Sequence, residues 1–138
     1  MKVNPYLIFD GNCEKAINFY KEVFSGSITS LMRFSDGFQY ASDDEVDRTQ
    51  MIMHVTLTFD GGVIMASDNV DGKYRRGTNY YVFLSFDTED EGETYFNKLA
   101  NEGRVLMPYE VVFWKGKFGK LTDKFGVNWM ISGGQSDL

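Results

Sequence analysis

The sequence predicts an α+β fold in which one βαβββ unit is used twice. Three observations predict it. Short apolar runs and amphipathic stretches follow one another in the same order in both halves of the chain. The halves superpose residue on residue, with Leu7 on Leu84, Phe9 on Phe86, Asp10 on Asp87, Phe19 on Phe96, Gly26 on Gly103 and Ile28 on Val105. Each half also closes on a strand pair joined by a tight turn, at Asp60-Gly61-Gly62 and at Asp123 to Gly126, where Asp and Gly tolerate the backbone angles of a reversal.

The elements follow in order. Tyr6 to Phe9 is a short apolar run closed by Asp10-Gly11-Asn12, a strand and then a break, with Asn12 placed to cap a helix. Ala16, Phe19, Tyr20, Val23 and Phe24 recur at helical spacing and define one apolar face. Ser25-Gly26 ends that helix, and Ile28 to Phe34 reads as a strand. Ser35 to Gln50 is polar and acidic and reads as a mobile loop. Met51 to Phe59 and Val63 to Ser67 are hairpin strands.

The pattern restarts with a strand at Tyr80 to Phe86. Thr88-Glu89-Asp90-Glu91 is a capping box, in which Thr88 and Glu91 satisfy free donors at a helix start. Tyr95, Phe96, Leu99 and Ala100 supply the buried face, and Gly103 ends the helix. Strands then begin at Val105 to Met107, Phe118 to Thr122 and Val127 to Ser132. The organisation expected is one domain over 1–138, with module one at about 1–67, a linker at 68–79, module two at about 80–132 and a flexible tail at 133–138.

Composition narrows the function. The chain has 138 residues, a net charge of −6 and one histidine. Nucleic acid and anionic membranes both need a dense basic surface, so neither is an expected partner. Cys13 is the only cysteine, which excludes an intrachain disulfide and a cysteine zinc cluster. It falls in the first turn of a helix, where the dipole can lower a thiol pKa, although lone cysteines usually only pack. The apolar run at the N-terminus is too short for a signal peptide, and no stretch matches a membrane span. A soluble cytoplasmic protein is expected.

The residues Pro5-Tyr6-Leu7 with Phe9, Gly11-Asn12-Cys13-Glu14 with Ala16, Asn18-Phe19-Tyr20, Met53-His54, Met65-Ala66-Ser67-Asp68, Phe113-Trp114, and Leu121 through Ile131 carry a family resemblance. The chain resembles the vicinal oxygen chelate superfamily of glyoxalases, extradiol dioxygenases and antibiotic-resistance binding proteins, and within it the PhnB-like branch. The resemblance implies a glyoxalase-like fold: two βαβββ modules forming a curved, mostly antiparallel sheet around a cleft, with helices on the outer face. It also implies a homodimer. In metal-dependent members four strands each supply one His, Glu or Gln, and by motif position these fall on Pro5, Met65, Tyr81 and Met130. Pro5 has no ligand atom, and thioethers are too soft for a divalent ion in an oxygen/nitrogen site. The expectation is no metal. Many proteins of the branch carry a demethylubiquinone methyltransferase label. The Gly-rich strand-to-helix turn that approaches a nucleotide cofactor has no counterpart in Asp10-Gly11-Asn12 or Asp87-Thr88-Glu89.

His54 is the one side chain suited to proton transfer near neutral pH. A two-residue turn at Asp60-Gly61 or Gly61-Gly62 puts His54 and Thr56 on the face of Val63, Met65 and Ser67, inside the cleft; a three-residue loop reverses this. Leu7, Phe9, Met65, Tyr81 and Met130 would line an apolar, aromatic cleft for a small molecule, or meet one another and close it into a core. Trp114 would serve as a lid or interface anchor. Lys73, Arg75, Arg76, Lys115, Lys117, Lys120 and Lys124 would form a cationic rim or only solvated faces. Three functions stay open. One is a metal-free small-molecule binding protein. Another is a lyase, isomerase or transferase with His54 as base, with or without a divalent metal held in an unusual way. The last is a structural or regulatory dimer without a ligand.

Overall fold

The computed structural model describes residues 1–37 and 48–135. The chain divides into two compact units, Met1–Arg75 and Arg76–Leu138. The first holds β1 (Tyr6–Phe9), α1 (Cys13–Phe24), β2 (Ser27–Arg33), α2 (Phe34–Gly37), a 3₁₀ turn (Arg48–Gln50), β3 (Ile52–Phe59) and β4 (Gly62–Asp68). The second holds β5 (Val82–Phe86), α3 (Glu89–Ala100), β6 (Arg104–Val111), β7 (Lys117–Thr122) and β8 (Asn128–Gly133). Each unit is one βαβββ module. Its sheet has four strands, in the order β1-β4-β3-β2 in the first unit and β5-β8-β7-β6 in the second. Among the described residues only the β1–β4 and β5–β8 pairs are parallel.

Two stretches differ from the sequence reading. The ends of the acidic loop are ordered, in α2 and in the 3₁₀ turn, and its remainder lies outside the described residues. Residues 133–135 stay packed, because β8 runs to Gly133 and Gln135 is buried, and the rest of the expected tail lies outside the described residues. Among the described residues no helix is long and apolar enough to cross a membrane.

In the first unit α1 covers one face of the sheet. Ala16, Ile17, Tyr20, Val23 and Phe24 are buried, so Ile17 takes the place expected for the half-buried Phe19. Beneath them lie Leu7, Phe9, Val55, Leu57, Ile64 and Ala66. Each such side chain taken out of water contributes roughly 1.5–3 kcal/mol. In the second unit α3 covers Leu121, Trp129 and Ile131 in the same way.

The start of α1 departs from expectation. Asn12 stands at the cap position but makes no side-chain cap. The buried Asp68 at the end of β4 does that work. Its Oδ1 accepts from the Cys13 N–H at 2.9 Å and its Oδ2 from the Ile52 N–H at 2.9 Å. In the second unit the Thr88 half of the capping box forms, with the Glu91 N–H donating to Thr88 Oγ1 at 3.1 Å.

The end of α1 carries strain. Ser25 has φ 50, in the left-handed region, and the Gly26 N–H reaches back to the Lys21 carbonyl at 3.0 Å. Gly26 itself cannot take a side chain, since a Cβ there would lie 2.9 Å from the Thr58 carbonyl oxygen. Its repeat partner Gly103 meets the Thr122 oxygen at 2.5 Å in the same manner. Ser25→Gly should therefore stabilise the fold by about 0.5–1 kcal/mol, the relief of the left-handed conformation outweighing the extra entropy of the unfolded chain. A urea titration checks it, and a neutral or destabilising result would contradict the strain argument.

Candidate functional site

Register decides which side chains face away from the helix. In the first unit the turn is the two-residue Asp60-Gly61, with Phe59 opposite Gly62 and Thr56 opposite Met65. Tyr6 is the parallel partner of Met65. Paired residues share a face, so Tyr6, Thr56 and Met65 lie together on the side away from α1. His54, two positions from Thr56, joins them. Leu7 and Phe9, expected in the lining, sit on the opposite side. Leu7 pairs with Ala66, and both Leu7 and Phe9 are buried in the core under α1. Their neighbours Tyr6 and Ile8 take the open face, each 45 % exposed. The signal for this was in the repeat, which matched Leu7 and Phe9 to Leu84 and Phe86, core-type positions of the second module.

His54 is held from both sides. Its Nδ1 lies 3.0 Å from Tyr6 Oη and its Nε2 lies 2.9 Å from Thr56 Oγ1. The Tyr6 and His54 rings are tilted by 36° at 5.6 Å between centroids. A neutral imidazole donates from one nitrogen and accepts at the other. Both partners are hydroxyls, which can do either, so the proton can sit on Nδ1 or on Nε2 without moving a heavy atom. Met32, which pairs with His54 from β2, is also exposed. The result is a fixed polar triad, Tyr6–His54–Thr56, set in a face of Ile8, Met32 and Met65.

In the second unit Phe83 pairs with Met130, and Met130 pairs with Lys120. These three share the face away from α3. Tyr81 joins them just before β5, with Lys120 Nζ 5.5 Å from its ring centroid. Trp114 lies in the β6–β7 connection and packs edge-on against Phe118 at 5.7 Å and Phe113 at 4.9 Å. Phe118 pairs with Ser132 on the face of Met130, so Trp114 covers one end of it. The structure thus brings His54, Thr56 and Met65 together in one unit, and Tyr81 and Met130 in the other.

Three of the basic residues are engaged locally. Arg76 donates to the Gly126 carbonyl, Thr122 Oγ1 and Asn128 Oδ1. Lys124 pairs with Glu102 at 3.5 Å. Lys117 lies over the Tyr109 ring at 6.0 Å.

Two chemistries can be tested on the side chains present. The fold family implies a divalent metal in some members. Among the described residues no three His, Cys, Asp or Glu side chains come together as ligands, and Met65 and Met130 present thioethers. Neither thioether suits a hard divalent ion. Cys13 is fully buried, and burial above all, then Asp68 and Glu14, pushes its thiol well above the usual range. A thiol held protonated in this way is a packing residue, not a nucleophile.

Two βαβββ modules, each with a helix on one side of its sheet and an open opposite face, define the glyoxalase-like class of α+β protein. Over residues 1–132 the chain matches the family described as 3-demethylubiquinone-9 3-methyltransferase. It is 31 % identical over 139 aligned residues to Protein YjdN of Escherichia coli K12, covering 96 % of this chain and 95 % of that one. The crystal structure of protein PA1353 from Pseudomonas aeruginosa is similar, with 36 % identity, TM-score 0.81 and 96 % of each chain covered. So is a Bacillus cereus structure described as a putative 3-demethylubiquinone-9 3-methyltransferase, PhnB protein, with 31 % identity, TM-score 0.77, and 96 % of this chain and 98 % of that one covered. The chain belongs to this family, the PhnB-like branch of the vicinal oxygen chelate superfamily.

Proposed function

We propose that the protein is a metal-free small-molecule binding protein, and that its ligand is hydrophobic or aromatic. The observation that carries this reading is the Tyr6–His54–Thr56 triad, which fixes a polar handle among Ile8, Met32 and Met65 on a strand face that also carries Ser30 and Thr58. Ligand sites have this make-up, an apolar lining with few well-placed polar groups. Met65 supplies an adaptable thioether beside the triad, and Tyr81, Met130 and Trp114 give the second unit a comparable aromatic and thioether face. In this reading the protein works in the cytoplasm as a homodimer, without nucleic acid or membrane as partner.

The test is a thermal-shift and calorimetric screen of aromatic and apolar compounds on the whole chain. A ligand of the folded state must raise the midpoint. His54→Gln should weaken binding by about tenfold or less, the worth of one neutral hydrogen bond. Met65→Lys should abolish it. Failure of every compound to shift the midpoint, or full binding by Met65→Lys, would overturn the reading. In the same assay Zn²⁺, Mn²⁺, Ni²⁺ and Fe²⁺ should leave the midpoint unchanged. A stoichiometric metal in the purified protein would contradict the donor-set argument.

A second reading rests on the same triad. A histidine whose two nitrogens both meet hydroxyls can pass a proton in either direction, as a general base requires. The protein would then be a lyase, isomerase or transferase, with a divalent metal as a possible addition only if held by an unusual set. The readings separate cleanly once a ligand is known: His54→Gln abolishes turnover if His54 is the base, and only lowers affinity if it is a handle.

A further inference from the structure

We infer that the open face of the second unit holds an anion-binding site centred on Lys120, and that the ligand it takes is an aromatic carboxylate. The inference rests on the small-molecule reading above and narrows it to a charge class. Lys120 stands in the middle of β7, between Met107 of β6 and Met130 of β8, with Phe83 next across the sheet. It is half-buried, while Tyr81 and Phe83 beside it are 36 % and 42 % exposed. Its ammonium has the Tyr81 ring at 5.5 Å. Among the described residues it has no carboxylate partner, whereas Lys124 pairs with Glu102 and the Arg76 guanidinium is taken up by three oxygens.

A cation among thioethers and aromatic rings is only partly compensated by a π-face. A carboxylate completes the pair through a charge-assisted contact. The apolar neighbours then select what the carboxylate is attached to: Phe83 and Tyr81 offer ring surfaces, and Met107 and Met130 adapt to a flat body. The net charge of −6 makes this placement informative, because the protein as a whole repels anions and a local cation must do the recruiting.

The test uses matched probes: benzoate, 1-naphthoate and indole-3-acetate, each beside its neutral amide, with binding measured by calorimetry on the full chain. The carboxylates should bind at least tenfold tighter than their amides, and added salt should weaken the carboxylates alone. Lys120→Met, which keeps the length and apolar stem, should remove the preference while the circular dichroism spectrum and thermal midpoint are retained. Lys120→Arg should restore it. Amides binding as well as carboxylates would overturn the anion site and leave the small-molecule reading standing, as would an unchanged preference in Lys120→Met. Binding of neither probe class, with no other compound shifting the midpoint, would sink both.

Discussion

Asp123→Ala should cost about 4 kcal/mol of stability, the largest single-residue loss expected in the second unit. Asp123 is 4 % exposed. Its Oδ1 accepts from the Phe125 N–H at 2.8 Å and the Val127 N–H at 3.1 Å, and its Oδ2 accepts from Trp129 Nε1–H at 2.8 Å. One carboxylate therefore shapes the β7–β8 turn and anchors the fully buried indole beneath α3. A hydrogen bond to a charged group is worth roughly 1.5–3 kcal/mol, and a buried donor left without a partner costs about 1–3 kcal/mol. Alanine strands three donors at once, although relaxation at the turn keeps the sum below full additivity. Asp123→Asn should cost about half as much, because its amide oxygen can still serve the two turn N–H groups while its NH₂ opposes the indole N–H. Urea unfolding followed by Trp129 fluorescence checks both. A loss below about 1 kcal/mol for Asp123→Ala would mean that the indole finds another acceptor.

That carboxylate shows where the sequence stops being readable. The turn at Asp123 to Gly126 and the strand after it follow from turn chemistry and from β-branched and aromatic residues, which are local properties. The indole partner of Asp123 is a property of packing, and nothing in the turn motif points to it. The same boundary runs through the candidate site. His54, Thr56 and Met65 could be placed on one face because hairpin register follows from turn length, and the two-residue turn is the one observed. The sequence leaves Leu7 and Phe9 open between cleft lining and core because β1 joins the sheet in parallel with β4, and no turn fixes that register. That parity puts Tyr6 on the open face, where its hydroxyl meets His54. Lys120 was legible only as one member of a run of lysines. Its separation from Lys117 and Lys124 depends on strand parity in β7 and on where Glu102 falls.

The helix starts give the second large effect, and they bear on how a duplicated module diverges. Both modules must satisfy the free N–H groups that open a helix. The second does so locally, through Thr88. The first does so at long range, through Asp68, which joins the start of α1 to the start of β3 from the end of β4. Asp68→Ala should therefore cost about 3 kcal/mol, since two N–H groups lose a charged acceptor at a site only 5 % exposed. Thr88→Ala should cost about 1 kcal/mol, an ordinary cap. The difference should also be visible at Cys13. Burial is the main reason its thiol is held protonated, and Asp68 is the second. Removing Asp68 loosens the first turn of α1 and withdraws a nearby negative charge, so native-state alkylation of Cys13 should accelerate by tenfold or more. Thr88→Ala acts on the other helix and should leave that rate unchanged. Equal alkylation rates in the two variants, or equal stability losses, would show that α1 does not depend on its distant carboxylate and that both modules solve the problem locally.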